Sequence, residues 1–256
     1  MLTQERRDII TELVNDNGVM TVQELVEKLD SSAATIRRDL TELDRQHRII
    51  KVFGGATALS DVNTQDDVNG KKEIHVEEKG TIGKDAALLI HDGDYVYIDA
   101  GTSTLRMIDY IKATGVHFYT NGIVHAKRLL ERGFEVSVIG GRVKKSTEAI
   151  VGPDSVQALQ KYHFTCAFMG TNGISLDAGY STPDVDEGMV KSEAIRHSAR
   201  SYVLADHTKF GEVSPVTFAK LSDCSIVTDR RPDHRYLHET QIRYPEKDSG
   251  GKGEDR

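Results

Sequence analysis

Ser32-Ala33-Ala34-Thr35-Ile36-Arg37-Arg38-Asp39-Leu40 reads as a helix with one buried stripe and one face suited to DNA. Ser32 can cap it, its hydroxyl accepting an orphan backbone N–H, and Ile36, Leu40 and Leu43 recur at the spacing that buries one side. Thr35, Arg37 and Arg38 fall outside that stripe. Ala33 and Ala34 keep the first turn slim, which lets a helix N-terminus approach base edges in a major groove. Adjacent arginines on a helix often form only a solvated face with local ion pairs. Here Arg38 precedes Glu42 at i, i+4, the less favourable order, and Arg37 meets uncharged Thr41. The stretch alone supports both readings; its flanks decide between them.

Upstream, Thr3 can cap a helix over 4–17 with Ile9, Ile10, Leu13 and Val14 inward and Gly18 as its left-handed stop. After an extended Val19-Met20, Thr21 and Glu24 stand at capping-box spacing, opening a second helix to about Leu29 with Val22, Leu25, Val26 and Leu29 on one side. Asp30-Ser31-Ser32 turns the chain into the quoted helix, giving a helix-turn-helix. Downstream, Ile49-Ile50-Lys51-Val52 is β-rich, and Gly54-Gly55 lets the chain double back as a wing.

Composition limits the alternatives. The 256-residue chain is 38% apolar with a formal net charge of -7, which excludes a wholesale polyanion binder and requires any nucleic-acid surface to be local. Residues 1–58 hold eight basic and ten acidic residues, yet 37–51 hold five basic and three acidic. The positive charge is therefore concentrated on the recognition segment. Cys166 and Cys224 lie in strand-like apolar runs, fit buried free thiols in a reducing compartment, and share no metal-ligand spacing. The N-terminus lacks a signal peptide's apolar stretch and no run is long enough to span a bilayer, so a cytoplasmic protein without a membrane partner is expected.

The N-terminal residues resemble the DeoR family of bacterial sugar-operon repressors. Arg6, Ile10 and Val14 stand at four-residue spacing, followed by Ser32, Thr35, Ile36, Arg37, Arg38, Asp39 and Leu40, then Gly54-Gly55-Ala56. The family commonly has His before the Gly-Gly, where this chain has Phe53; Arg48 or Lys51 then takes the phosphate contact. The expected DNA-binding set is Ser32, Thr35, Arg37, Arg38, Arg48 and Lys51.

The segment from Ser60 to Lys72 is mostly polar and reads as a linker, so we expect a winged helix-turn-helix over 1–58, a linker over 59–73, a sensor domain over 74–244 and a disordered tail over 245–256. After a helical pattern through Ile82, Ala86, Leu89 and Ile90, six strand candidates alternate with helical stretches: 95–99, 116–120, 135–139, 165–169, 202–206 and 225–228. That alternation predicts an α/β domain with a mainly parallel sheet and helices on both faces, its ligand beyond the carboxyl ends of the strands. The strand ends suit that role. Asp99-Ala100-Gly101-Thr102-Ser103-Thr104 offers hydroxyls and a helix N-terminus to an anion, although an ordinary capped turn accounts for it equally well. Thr120-Asn121-Gly122, Gly140-Gly141-Arg142, Gly170-Thr171-Asn172-Gly173 and Asp206-His207-Thr208-Lys209 end four other strands. Lys209 can counter a phosphate, while Asp99 and Asn121 suit sugar hydroxyls. Gly-x-Gly-x-x-Gly spacing is absent, so no dinucleotide cofactor is expected.

These positions also resemble the DeoR sensor domain, a three-layer α/β fold that looks like ribose-5-phosphate isomerase; Asp99 to Thr104, Gly140-Gly141, Gly170 to Gly173, Lys191 and Asp206 to Phe210 match. The loops 179–184 and 205–211 look most like the fructose-operon repressors of low-GC Gram-positive bacteria. The resemblance implies a repressor of a sugar operon, released from double-stranded operator DNA by a phosphorylated sugar, with fructose 1-phosphate favoured, and acting as at least a homodimer. Its expected effector set is Asp99, Gly101, Thr102, Ser103, Thr104, Asn121, Gly141, Arg142, Thr171, Asn172, Lys191 and Lys209.

Two rival readings differ in the residues they require. An active sugar-phosphate isomerase fused to a DNA-binding domain needs an acid and a base at the sugar carbons. The isomerases place two aspartates after the fourth strand and a lysine soon after, whereas here that loop is Thr171-Asn172-Gly173 and no lysine occurs from Thr171 to Val190. Asp184, Asp186 and Glu187 suit capping of the helix carrying Lys191 better than catalysis. A metal sensor could use His234 and His238 at i, i+4, but no third ligand is evident and Pro232-Asp233 reads as a helix start.

Overall fold

The computed structural model describes residues 3–17, 19–46, 48–52, 54–57 and 75–245. Gly18, Phe53, the expected linker over 59–73 and the expected tail beyond 245 fall outside them. By internal contacts the chain divides into two compact units, Met1–Gln65 and Asp66–Arg256.

The first unit contains α1 (Thr3–Asn17), β1 (Val19–Thr21), α2 (Val22–Leu29), α3 (Ala33–Arg45), β2 (Ile50–Val52) and β3 (Gly55–Thr57). Both expected caps are present. Glu24 N–H donates to Thr21 Oγ1 at 3.2 Å while Thr21 N–H reaches Glu24 Oε2 at 2.8 Å, and Thr35 N–H donates to Ser32 Oγ at 3.2 Å. Asp30 makes the turn between α2 and α3 in the left-handed region at φ 44°, where a short polar side chain is tolerated. Ile10, Val14, Leu25, Leu29, Ile36, Leu40, Leu43 and Ile49 bury together as one core. β3 pairs antiparallel with both β1 and β2 to form the wing. Gly55 is obligatory there: a Cβ would lie 2.2 Å from the Met20 carbonyl oxygen.

In the second unit, α4 (Val76–Ala87) precedes β4 (Tyr95–Ile98), α5 (Thr102–Ile108), β5 (His117–Thr120), α6 (Ile123–Glu131) and β6 (Val136–Val138). The hairpin β7 (Arg142–Lys144) and β8 (Ala149–Val151) leads to α7 (Pro153–Leu159) and β9 (Cys166–Gly170). Then come β10 (Gly173–Ser175), β11 (Gly179–Thr182), α8 (Val185–Arg196), β12 (Ser201–Leu204), β13 (Val216–Ala219), β14 (Ser225–Val227), α9 (His234–Leu237) and β15 (Ile242–Arg243).

The central sheet has seven strands in the order β15-β14-β12-β9-β4-β5-β6, every pairing parallel. Alternate residues serve two cores. Val96, Ile98, Cys166 and Phe168 face α4, α5 and α6, while Tyr97, Ala167, Met169 and Val203 face α7, α8 and the small β10-β11-β13 sheet. All six sequence-predicted strands occur, within a residue or two at their ends. The small antiparallel sheet, the β7–β8 hairpin and the two-residue β15 were not anticipated; β7, β8, β10 and β11 each follow another strand with no helix between, outside the alternation that marked the six. The two cysteines are buried and unpaired, and burial pushes each thiol up to about 12.

Candidate functional site

The exposed face of α3 is built by what lies beneath it. Ile36, Leu40 and Leu43 pin the helix to its unit, and Asp39, 2% exposed, adds a polar clamp between them. Its carboxylate accepts from Arg6 Nε at 2.7 Å and Arg7 Nε at 2.9 Å, tying α1 to α3. Sequence reasoning missed this clamp, although an aspartate on the buried i, i+3, i+4, i+7 stripe was the available signal.

Arg37 and Arg38 are exposed, and among the described residues no hydrogen bond or ion pair holds either guanidinium group, although the Arg37 carbonyl accepts from Thr41 Oγ1 at 2.8 Å. Glu42, the candidate partner of Arg38, instead holds Arg45 at 2.6 Å, and this pairing lowers the Glu42 carboxyl to about 2. Local ion pairs therefore occupy neither the Arg37 nor the Arg38 guanidinium group among the described residues. Arg48 and Lys51 are more committed: Arg48 reaches Asp8 at 2.8 Å, and Lys51 Nζ donates to Thr41 Oγ1 at 2.8 Å.

The second candidate site lies at the carboxyl rim of the central sheet. Because all seven strands run parallel, the loops after β4, β5, β6, β9 and β12 share one edge. From β4 the chain winds outward to β5 and β6, whereas β9, β12 and β14 build in the opposite direction, so the winding reverses between β4 and β9. A crevice at that point is where ligands of open parallel sheets bind. The loops meet there closely: a Cβ on Gly101 would stand 3.3 Å from Gly170 Cα.

Asp99 ends β4 at this junction. Its Oδ2 takes the Gly170 N–H at 3.0 Å and the Lys191 ammonium from α8, a buried ion pair. Its other oxygen has no partner among the described residues. Lys191 also stands over the Phe218 ring, 5.7 Å from the centroid. Thr104 Oγ1 takes the Gly101 N–H at 3.0 Å and lies 2.6 Å from the Asp99 carbonyl oxygen, while His125 Nε2 meets the Gly101 carbonyl at 2.9 Å. His125 was not foreseen, since nothing in its spacing marks it.

Several expected effector residues already have partners within the chain. Thr104 is fully buried, and its hydroxyl is spent on the β4–α5 turn. Asn121 is 2% exposed; its Oδ1 accepts from Ala100 N at 3.1 Å and its Nδ2 donates to Ile150 O at 3.1 Å. Both shape the cradle from beneath. Thr171 Oγ1 closes its own loop onto the Gly173 and Ser181 carbonyls, and Asn172 N–H donates to the Ser181 carbonyl. Arg142 is already held by Asp186 at 2.5 Å. In the same place Lys144 reaches Asp184 at 2.6 Å and Glu187 at 3.3 Å, latching the Gly141 hairpin to the first turn of α8. Asp184 caps α8, as the sequence predicted. Among the described residues no partner holds the Thr102 and Ser103 hydroxyls or the Lys209 ammonium.

The His234 and His238 rings lie 6.3 Å apart, Asp233 caps the four-residue α9, and among the described residues no group of three potential ligands is arranged for a metal ion. No described helix is long and apolar enough to cross a membrane.

Comparison with known proteins gives two family matches. Residues 6–62 match the DeoR-like helix-turn-helix domain and residues 74–230 the DeoR C terminal sensor domain. The Bacillus subtilis HTH-type transcriptional regulator FruR, itself uncharacterized, is 40% identical over 89% of this chain and 91% of its own. The lactose phosphotransferase system repressor of Staphylococcus aureus is 33% identical over 89% and 92%. Among solved structures, ribose 5-phosphate isomerase A of Methanocaldococcus jannaschii aligns at 14% identity and a TM-score of 0.39, covering 52% of this chain and 53% of that one.

Proposed function

The chain belongs to the DeoR family of transcriptional regulators, and from that premise we propose that it represses a sugar-utilisation operon and leaves its operator when a phosphorylated sugar binds the rim between β4 and β9. The observation that carries the effector assignment is the reversal of winding at Gly101 and Gly170. There one Asp99 oxygen and the Thr102 and Ser103 hydroxyls have no partner among the described residues, and the loop after β12 on the same rim carries the cation Lys209. Lys209 supplies the countercharge to phosphate, and Asp99, paired with Lys191, accepts from sugar hydroxyls. Fructose 1-phosphate is the favoured effector, supported by the likeness to FruR.

In the DNA-binding unit, Ser32, Thr35, Arg37 and Arg38 address the major groove while Arg48 and Lys51 address phosphate. Release follows from population shift: the sugar phosphate binds the low-affinity conformation better than the operator-binding one, and nearly complete release needs about 5 kcal/mol of difference. Paired half-sites require at least a dimer. A cytoplasmic location accords with this role.

Calorimetric titration with fructose 1-phosphate, fructose 6-phosphate and tagatose 6-phosphate, beside an isomerase assay on each, tests the reading. We expect saturable binding of one sugar without turnover, and at least tenfold weaker binding in Lys209→Ala with operator affinity intact. Unchanged affinity in that variant removes the lysine from the phosphate site.

A further inference from the structure

The sensor unit's first described residue, His75, takes a left-handed conformation at φ 55° and ψ 45° before α4. A non-glycine residue holds that conformation where its surroundings impose it. The His75 ring meets His207 edge-on, with centroids 5.9 Å apart and planes at 77°, and its Nδ1 lies 3.5 Å from Glu78 Oε1.

His207 is itself held firmly. Its backbone N–H donates to Asp229 Oδ1 at 2.7 Å and its Nδ1 lies 3.0 Å from Oδ2. The Asp229 side chain is 5% exposed and is also held by Arg230 at 3.0 Å. Burial alone would raise the Asp229 carboxyl, but the bonds from Arg230 and His207 outweigh it and keep the group ionised below its ordinary range.

His207 also opens the three-residue 3-10 turn that closes at Lys209, a turn capped by Asp206, which accepts from Thr208 N–H at 3.0 Å. One short, well-braced element thus carries the free rim cation at one end. At the other it carries a ring in contact with the residue that follows the segment between the two units in sequence.

We propose that His75 is the coupling residue of this regulator, converting movement of the 207–209 turn on effector binding into movement of the chain that leads to the DNA-binding unit. This rests on the reading that a phosphorylated sugar binds at the rim. His75 touches neither ligand; its role is to pass a displacement, and the ring is the part that does so. The His75 ring rests against His207. When Lys209 closes on a phosphate the turn shifts, and the contact between the His207 and His75 rings shifts with it.

Two variants of the full chain test the proposal. His75→Gly tolerates φ 55° and removes the ring, while His75→Phe keeps an aromatic ring in place. For each, operator Kd is measured alone and with a saturating amount of whichever of fructose 1-phosphate, fructose 6-phosphate and tagatose 6-phosphate the wild type binds, and sugar Kd is measured by calorimetry. Expected are unchanged basal operator and sugar affinities in both variants, a loss of about tenfold in the effector-induced change of operator Kd for His75→Gly, and recovery in His75→Phe. Full induction in His75→Gly, a weakened sugar Kd in that variant, or failure of His75→Phe to recover overturns the coupling role. If the wild type binds none of the three sugars, the rim assignment fails first and the coupling role falls with it.

Discussion

Asp39→Asn probes the clamp on which the recognition helix depends. Asp39 is 2% exposed and meets two guanidinium groups at 2.7 and 2.9 Å. With charge centres about 4 Å apart and an effective dielectric of about 20, each attraction is worth about 4 kcal/mol before desolvation is subtracted. Breaking a buried pair typically costs about 3–5 kcal/mol because the remaining charge is stranded. Arg6 and Arg7 are 13% and 22% exposed and partly rehydrate, so the expected loss is about 2–3 kcal/mol. A unit of some 55 residues has only about 3–8 kcal/mol in total. Its melting temperature should therefore fall by about 10–20 °C. Scanning calorimetry of the full chain is the appropriate assay, because residues 1–58 contain neither Tyr nor Trp and intrinsic fluorescence reports only the other unit. The sensor endotherm should stay in place. A shift below about 2 °C in the lower endotherm would refute the clamp, and Arg7→Ala, which leaves Arg6 bound, should give the smaller effect.

Arg37→Ala and Arg38→Ala should each weaken specific operator binding by about 10- to 100-fold in a mobility-shift titration with sugar affinity unchanged; specific affinity retained in both would sink the assignment of α3. Gly55→Ala should open the wing, since its new Cβ meets the Met20 carbonyl oxygen at 2.2 Å, and hydrogen exchange should show lost protection across β1 and β3 while Gly54→Ala strains only the turn at φ 83°. The Asp184 carboxyl lies below its ordinary value because its bonds from Lys144 and the Glu187 N–H outweigh a burial effect in the opposite direction. Its contribution is thus present above the unfolded pKa of about 3.9 and lost as pH falls through the lowered folded value. Lys144→Ala should flatten the fall of the sensor's melting temperature between pH 6 and pH 3; an unchanged pH profile argues against the latch.

Much of the α3 face could be read directly from the chain. The cap at Ser32, the stripe Ile36-Leu40-Leu43 and the outward Arg37 and Arg38 are consequences of a 3.6-residue period, and period is a local property of sequence. The six strands that alternate with helices were legible too, since that alternation dictates a parallel sheet and a parallel sheet gathers its loops on one rim. Tertiary structure alone decided which rim residues remain free to bind. Asn121 and Thr104 have the chemistry of ligand contacts but are consumed by neighbours, Asn121 reaching Ile150 and Thr104 lying against His125. Arg142 is claimed by Asp186, 44 residues away. The same holds for Arg6 and Arg7 on Asp39, Lys191 on Asp99, and His75 against His207. A polar side chain carries the same donors and acceptors wherever it stands, so its type announces what it can bond. Its partner is chosen by packing between segments far apart in the chain, and that choice leaves no local pattern to read.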